Sequence, residues 1–142
     1  MEVEFLCREC AHSNRLELSD HSSEVNCSAC GKKYGALSQF APERGVQHCG
    51  ICGCRDLYQQ KDFNRAIGCT IAAIGAVLAP FTKLISLFVC ALIDLILYRL
   101  LPFITICYRC KSIYRDFLPN PAHEGFNLGI NDRYRSSESP GR

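Results

Sequence analysis

Apolar and polar positions are distributed along this chain in two different ways. Through residues 1–65 the apolar side chains come in short alternating runs. Val3 to Leu6, Arg15 to Leu18, the stretch at Val25 and Asp56 to Phe63 carry the period-two signature of strands. Asp20-His21-Ser22-Ser23 predicts a turn between the second and third runs. Tyr34, Leu37 and Phe40 are the candidates to cover this small β-core. From Ala66 to Ile106 the alternation stops, and the only charges are Lys83, Asp94 and Arg99. Strand-like patterning returns at Thr105 to Phe117, where Ile113, Tyr114 and Phe117 can complete a sheet with the run at 56–63. Beyond Leu118, Pro119, Pro121, Gly125 and Gly129 interrupt any regular element. Phe126, Leu128, Ile130 and Tyr134 remain available to dock on the neighbouring strands or on lipid, and Ser136 to Arg142 is expected to be disordered.

The apolar segment has its own grammar. Ala66–Thr82 holds no charge, Leu84–Leu101 holds Asp94 and Arg99, and Pro80-Phe81-Thr82-Lys83 between them predicts a turn. As one straight helix the segment would run about 60 Å, twice the hydrocarbon thickness of a bilayer, whereas a hairpin of two spans near 27 Å fits it. Gly68, Ala72, Gly75, Ala76 and Ala79 form a small-residue face that lets a second helix approach closely. Asp94 falls level with Thr70 and is expected to act as an interfacial acid, bonded to Thr70 or Tyr98 or drawn to Arg65. Cys69 and Cys90 read as small buried hydrophobes.

Candidate chemistry lies in the cysteines. Of 11, eight form four Cys-x-x-Cys pairs: Cys7/Cys10, Cys27/Cys30, Cys49/Cys52 and Cys107/Cys110. Cysteines two residues apart are poorly placed to bridge a fold but suit one tetrahedral ion. The first two pairs have ordinary zinc-ribbon spacing. The last two bracket the apolar segment, so Cys52 and Cys107 reach one ion only if that segment leaves and returns on the same side, which is the hairpin again. Two closed sites predict two Zn²⁺ per chain, and the metal supplies folding free energy that a core this small lacks. Gly31 and Gly53 follow their knuckles, where the backbone turns toward the sulfurs. Cys54 reads as a neighbouring thiol, His12 and His21 as surface loop residues, and His48 as non-ligating.

These elements assemble into a small metal-stabilised α+β chain of two zinc ribbons, the second split by a transmembrane or membrane-inserted helical hairpin. The expected divisions are a first ribbon at 1–40, a linker at 41–48, a split second ribbon at 49–65 and 102–118, the hairpin at 66–101, and a polar, partly disordered tail at 119–142. Loss of the first site is expected to unfold the first ribbon alone.

Charge narrows the partners. The formal charge is +2, and eight thiolates with two Zn²⁺ bring it to about −2. Residues 1–48 hold the acids Glu2, Glu4, Glu9, Glu17, Asp20, Glu24 and Glu43 against fewer bases, so the sequence shows no basic stripe for nucleic acid. Met1-Glu-Val-Glu-Phe predicts no cleavable signal peptide. Arg55, Lys61, Arg65, Arg99, Arg109, Lys111 and Arg115 flank the hairpin's open end, and Lys83 marks its tip. That asymmetry predicts a membrane protein with both ribbons and both ends in the cytosol. No Ser/His/Asp set, carboxylate pair or phosphate loop suggests catalysis, and no small-molecule substrate is evident.

A zinc ribbon split by a membrane-inserting segment resembles the LITAF-like domain, over residues 49–117 and most closely in Cys107-Tyr-Arg-Cys110-Lys-Ser-Ile-Tyr-Arg. That family usually has His-x-Cys-Pro-x-Cys in its closing knuckle, where this chain has Thr105 and Tyr108 in place of the histidine and proline. The chain is also similar to a bacterial group of double-zinc-ribbon membrane proteins, through Asp56-Leu-Tyr58 and Lys61-Asp-Phe63. The resemblance implies hairpin membrane attachment and a structural zinc, and no activity. The leading expectation is a non-enzymatic adaptor on the cytosolic membrane face, with lipid and an unidentified protein as partners. The alternative is a membrane-bound, rubredoxin-like electron-transfer protein with Fe in a Cys₄ site.

Overall fold

In the computed structural model the described residues are 1–20, 23–41, 45–63, 65–80, 82 and 85–137. His21, Pro42, Glu43, Lys83 and the 138–142 end of the tail, which carry some of the expectations above, lie outside them. The chain divides into one unit of Met1–Gln60 with Phe103–Arg142, and a second of Lys61–Pro102.

The first unit is built on strands β1 (Glu2–Leu6), β2 (Ser13–Glu17), β5 (Leu57–Lys61), β6 (Phe103–Cys107) and β7 (Ile113–Arg115), in the sheet order β2-β1-β7-β6-β5. A separate ribbon pairs β3 (Glu24–Asn26) with β4 (Lys33–Ala36), followed by the single turn α1 (Leu37–Phe40). Alternation in β1 buries Val3 and Phe5 and turns Leu6 to solvent, as period two requires.

The sheet departs from the picture of two independent ribbons. β1 sits between β2 and β7, with Val3 opposite both Leu16 and Tyr114. The first and last Cys-x-x-Cys pairs therefore stand at the end of one continuous antiparallel ladder. A single core runs through both halves: Val3, Phe5, Val25, Leu37 and Phe40 cluster with Val46, Cys49, Ile51, Leu57 and Tyr114. The Phe40 ring meets Tyr114 edge-on at 6.0 Å. It also lies so close over Gly50 that an added Cβ there would collide with it. The stretch read as a linker is correspondingly packed, with Ala41 and Val46 fully buried.

The tail also carries structure that its prolines and glycines conceal. Gln59 at the sheet edge receives the Glu124 carbonyl on its N–H and bridges Gly125 in parallel. Phe126 packs against Tyr58 and Tyr108, and helix α4 (Leu128–Ser137) brings Tyr134 parallel to Tyr108 at 6.5 Å. Ser136 and Ser137, expected to be disordered, form the end of α4.

The second unit is the hairpin of α2 (Arg65–Leu78) and α3 (Ile85–Leu100). The helices have 14 and 16 residues, fewer than the sequence predicts, and no helix among the described residues is long and apolar enough to cross a membrane. Pro80 and Pro102 account for the shortening, because the residue before proline is driven out of the α region. Small residues of α2 do admit its partner: Gly75 faces Cys90 and Leu87, and Ser86 donates to the Gly75 carbonyl at 3.0 Å. Gly68 is covered by Phe63 instead of by α3.

Candidate metal centres

Each of the four Cys-x-x-Cys pairs folds into the same knuckle. The residue after the second cysteine returns its N–H to the carbonyl of the first: Ala11 to Cys7 at 3.0 Å, Gly31 to Cys27 at 3.0 Å, Gly53 to Cys49 at 2.8 Å and Lys111 to Cys107 at 3.1 Å. The N–H of each first cysteine is then taken by the carbonyl five residues on, from His12, Lys32, Cys54 and Ser112. The turn requires positive φ at the residue after the second cysteine. Gly31 and Gly53 adopt it at 71°, and Ala11 (53°) and Lys111 (56°) adopt it despite carrying a Cβ. The sequence motif thus dictates the geometry even where glycine is missing.

The knuckles meet in pairs. Cys7, Cys10, Cys27 and Cys30 form one cluster and Cys49, Cys52, Cys107 and Cys110 the other, the sulfurs of each lying within 4.8 Å of one another. Cross-knuckle S···S separations are 3.7 Å (Cys7–Cys30), 3.6 Å (Cys10–Cys27), 3.3 Å (Cys49–Cys110) and 3.5 Å (Cys52–Cys107). A tetrahedron with metal–sulfur bonds near 2.3 Å has edges of about 3.8 Å, so both clusters could each hold a metal ion. Cys7 and Cys27 are buried and Cys10 and Cys30 exposed, whereas Cys52 and Cys110 of the second cluster are half-buried.

The thiols within each cluster shift one another in opposite directions. In the first, the Tyr34 hydroxyl pulls the Cys7 thiol down and the Cys30 backbone pulls Cys27 down. Cys10 and Cys30 rise, where burial and the neighbouring sulfurs outweigh the backbone groups of His12 and Lys32. In the second, hydrogen bonds from Cys107 hold Cys49 and Cys110 low. Hydrogen bonds to Cys110 and Cys49 push Cys107 up, and those two sulfurs also raise Cys52 against the opposing Cys107 contact. In each cluster two thiols are thus lowered and two raised by the contacts they share. Ionising all four at this spacing takes a cation.

Tyrosines complete each cluster from outside. The Tyr34 hydroxyl lies 3.1 Å from the Cys7 sulfur and accepts the Arg8 N–H at 3.0 Å. The Tyr114 hydroxyl lies 3.2 Å from the Cys49 sulfur and accepts the Gly50 N–H at 3.0 Å. Burial first, then the adjacent Cys7 sulfur, pushes Tyr34 up to about 12, and burial with the Cys49 sulfur also raises Tyr114 well above its ordinary value. Both phenols therefore stay protonated as donors to sulfur. Asn14, itself buried, gives Nδ2 to Cys27 at 3.5 Å and takes Ser28 on its Oδ1, and Ser112 Oγ stands 2.9 Å from Cys110. The sequence reading assigned these outer residues no part in the sites. The signal was there: Cys27-x-x-Cys30-x-x-x-Tyr34 repeats as Cys107-x-x-Cys110-x-x-x-Tyr114.

The remaining candidates fall elsewhere. Cys54 stands outside the cluster, near the Tyr134 hydroxyl at 3.4 Å, and that hydroxyl donates to Asp56 at 2.5 Å. His12 is exposed, and the His48 ring packs on Phe40. In the hairpin, Thr70 bonds the Ala66 carbonyl of its own helix and Tyr98 lies under Lys61. Asp94 has neither as a partner, and its buried Oδ1 makes no hydrogen bond among the described residues.

The chain matches no protein-family model, no curated protein and no solved structure. The LITAF-like resemblance thus gains no support from these comparisons, and what stands is a small α+β protein with two Cys₄ clusters of zinc-ribbon type.

Proposed function

We propose that this chain is a non-enzymatic, membrane-anchored zinc-ribbon protein that serves as an interaction adaptor. One observation carries the membrane part: the hairpin is inside out. On α3 the half-buried positions are Ser86, Cys90, Asp94 and Leu97, a stripe with helical spacing that turns the polar Ser86 and Asp94 inward. Phe88 (78% exposed), Leu92 (58%) and Leu95 (53%) point away from it. In water the hydrophobic effect favours the reverse arrangement, whereas in hydrocarbon polar groups turn inward and apolar ones meet lipid. At 1.5 Å per residue the helices reach about 21 and 24 Å, short of the roughly 30 Å core, so the hairpin enters the bilayer from one face without crossing it. Basic residues flanking its open end keep the Cys₄ unit in the cytosol by the positive-inside rule.

The Cys₄ clusters hold Zn²⁺ and act structurally. Four thiolates close each site, leaving no open position for a substrate or for an activated water. Co-sedimentation of the intact chain with phosphatidylcholine vesicles tests the anchor. Wild type should pellet, and Phe88→Glu/Leu92→Glu should stay in the supernatant with its metal retained. Equal partition of both would sink the membrane reading. Two colourless zinc ions per chain are expected by elemental analysis, and a red iron centre would favour electron transfer instead.

A further inference from the structure

Counting charges along the sequence shows no basic stripe, but the fold sorts them. At one end of the β1–β7 ladder Glu2 and Glu4 bind Arg115, Glu2 also binds Arg15, and Glu2, Glu17 and Asp116 line a common hollow. At the other end the first and fourth knuckles come side by side. A cleft of about 370 Å³ between them is lined by Leu6, Cys7, Arg8, Ala11, Arg109, Cys110 and Lys111. Three cations from opposite ends of the chain thus converge on a wall that contains no carboxylate. Lys111 is held in place by Asn131 at 2.6 Å and lies over the Tyr108 ring. Leu6, 55% exposed at the end of β1, adds an apolar side chain to the same wall.

We propose that this cleft docks an acidic segment of a partner protein, with an aliphatic side chain of that segment seated on Leu6. The inference rests on the adaptor reading and names the chemistry of its protein partner. Charge complementarity favours an anionic partner: Arg8, Arg109 and Lys111 present three cations on a wall with no carboxylate among its lining residues, while Glu2, Glu4, Glu17 and Asp116 are held at the other end of the ladder. Peptide is favoured over nucleic acid because no aromatic ring lines the cleft for bases to stack on, whereas Leu6 offers an aliphatic contact. The two arginines and Leu6 are exposed, so a partner reaches them without rearrangement.

The test is an NMR titration of the metal-loaded full chain in detergent micelles with the peptide Glu-Glu-Leu-Glu-Glu. Shifts should concentrate at Leu6, Arg8, Arg109 and Lys111 and weaken several-fold as salt rises from about 0.05 to about 0.5 M. Arg8→Glu/Arg109→Glu should weaken binding at least about tenfold with both metals kept, and Leu→Ser in the peptide should weaken it further. No localised shift, or equal shifts with Lys-Lys-Leu-Lys-Lys, overturns the proposal. So does metal loss in the double variant, which would make these cations counter-charges for the thiolates. Tighter binding of oligouridylate to the same residues would replace the peptide by nucleic acid, and loss of binding to phosphatidylserine vesicles in the variant would replace it by lipid headgroups. Neutral vesicles distinguish the two readings, because hairpin insertion there is independent of Arg8 and Arg109.

Discussion

If one sheet carries both clusters, emptying the first should weaken the second. The cleanest perturbation is Cys10→Ser/Cys30→Ser, because these two ligands are exposed and their replacement leaves the core side chains alone. Without its metal the β1–β4 region loses the free energy that orders it, and the second cluster then loses three supports. The β1–β7 ladder pairs Glu2, Val3 and Glu4 with Arg115, Tyr114 and Ile113, and each ladder hydrogen bond contributes about 0.5–1.5 kcal/mol. The Phe40–Tyr114 contact adds about 0.5–1.5 kcal/mol beyond its area. The Arg115 pairs with Glu2 (3.1 Å) and Glu4 (2.7 Å), partly solvated, contribute up to about 1 kcal/mol each. Discounting for residual packing, on the order of 3 kcal/mol is at stake, roughly a hundredfold in affinity. Titration against a chromophoric zinc chelator reads the second-site affinity directly. An affinity within about threefold of wild type, in a variant whose first 40 residues are protease-sensitive, would refute the coupling. Arg115→Ala provides a check that touches no ligand: it should weaken the second site modestly in the same assay.

Three further outcomes follow from the geometry. Tyr114→Phe removes the acceptor of the Gly50 N–H and a donor to Cys49 in the core, so it should cost about 1–3 kcal/mol and weaken second-site metal binding about tenfold or more. Tyr34→Phe, whose Arg8 partner is exposed, should cost less, and chelator competition ranks the two. Exposure of Cys10 and Cys30 predicts that EDTA strips the first site faster than the second, which stepwise loss monitored by native mass spectrometry of both single-site variants would show. Asp94→Leu should stabilise the hairpin by about 1–3 kcal/mol, since it replaces a carboxylate oxygen buried without a partner; slower amide exchange in α2 and α3 is the readout, and faster exchange would show that the carboxylate is needed.

Sequence and structure agree where the signal is local. A Cys-x-x-Cys turn is set by six consecutive residues, so the cysteines that come together in each cluster are legible, and the turn holds even at Ala11 and Lys111. The hairpin was legible because a charge-poor segment bracketed by one cluster's ligands has to double back. The pairing of β1 with β7 was not, since it joins residues more than 100 positions apart through three-residue overlaps that leave no periodicity. Tyr34 and Tyr114 were visible as a repeat but read as core aromatics, because an alternating pattern shows which face a ring occupies and not where its hydroxyl points. In the tail, Pro119, Pro121 and Gly125 suppressed the expectation of structure. Yet Asn120 and His123 bind the Val46 carbonyl and Gln59 takes the Glu124 carbonyl, all through contacts distant in sequence.

The placement of β1 also bears on why a chain that clips its hairpin with one cluster would carry a second. Cys52 and Cys107 close the loop that contains the hairpin, but β7, which follows Cys110, has only three residues and would by itself be a marginal strand. β1 gives it a second neighbour, and Tyr114 at its centre is packed on one side by Val3 and Phe40 while its hydroxyl reaches Cys49. The amino-terminal cluster holds β1, β2 and Phe40 in the positions from which they do this. A metal held there would thus act on the second cluster through the sheet. A mechanism of that kind has a direction that can be measured: emptying the outer cluster should loosen the inner one by more than emptying the inner loosens the outer. The reason is that Tyr34, Asn14 and Val25 support the first cluster from within residues 1–40, whereas Tyr114 depends on β1 and Phe40.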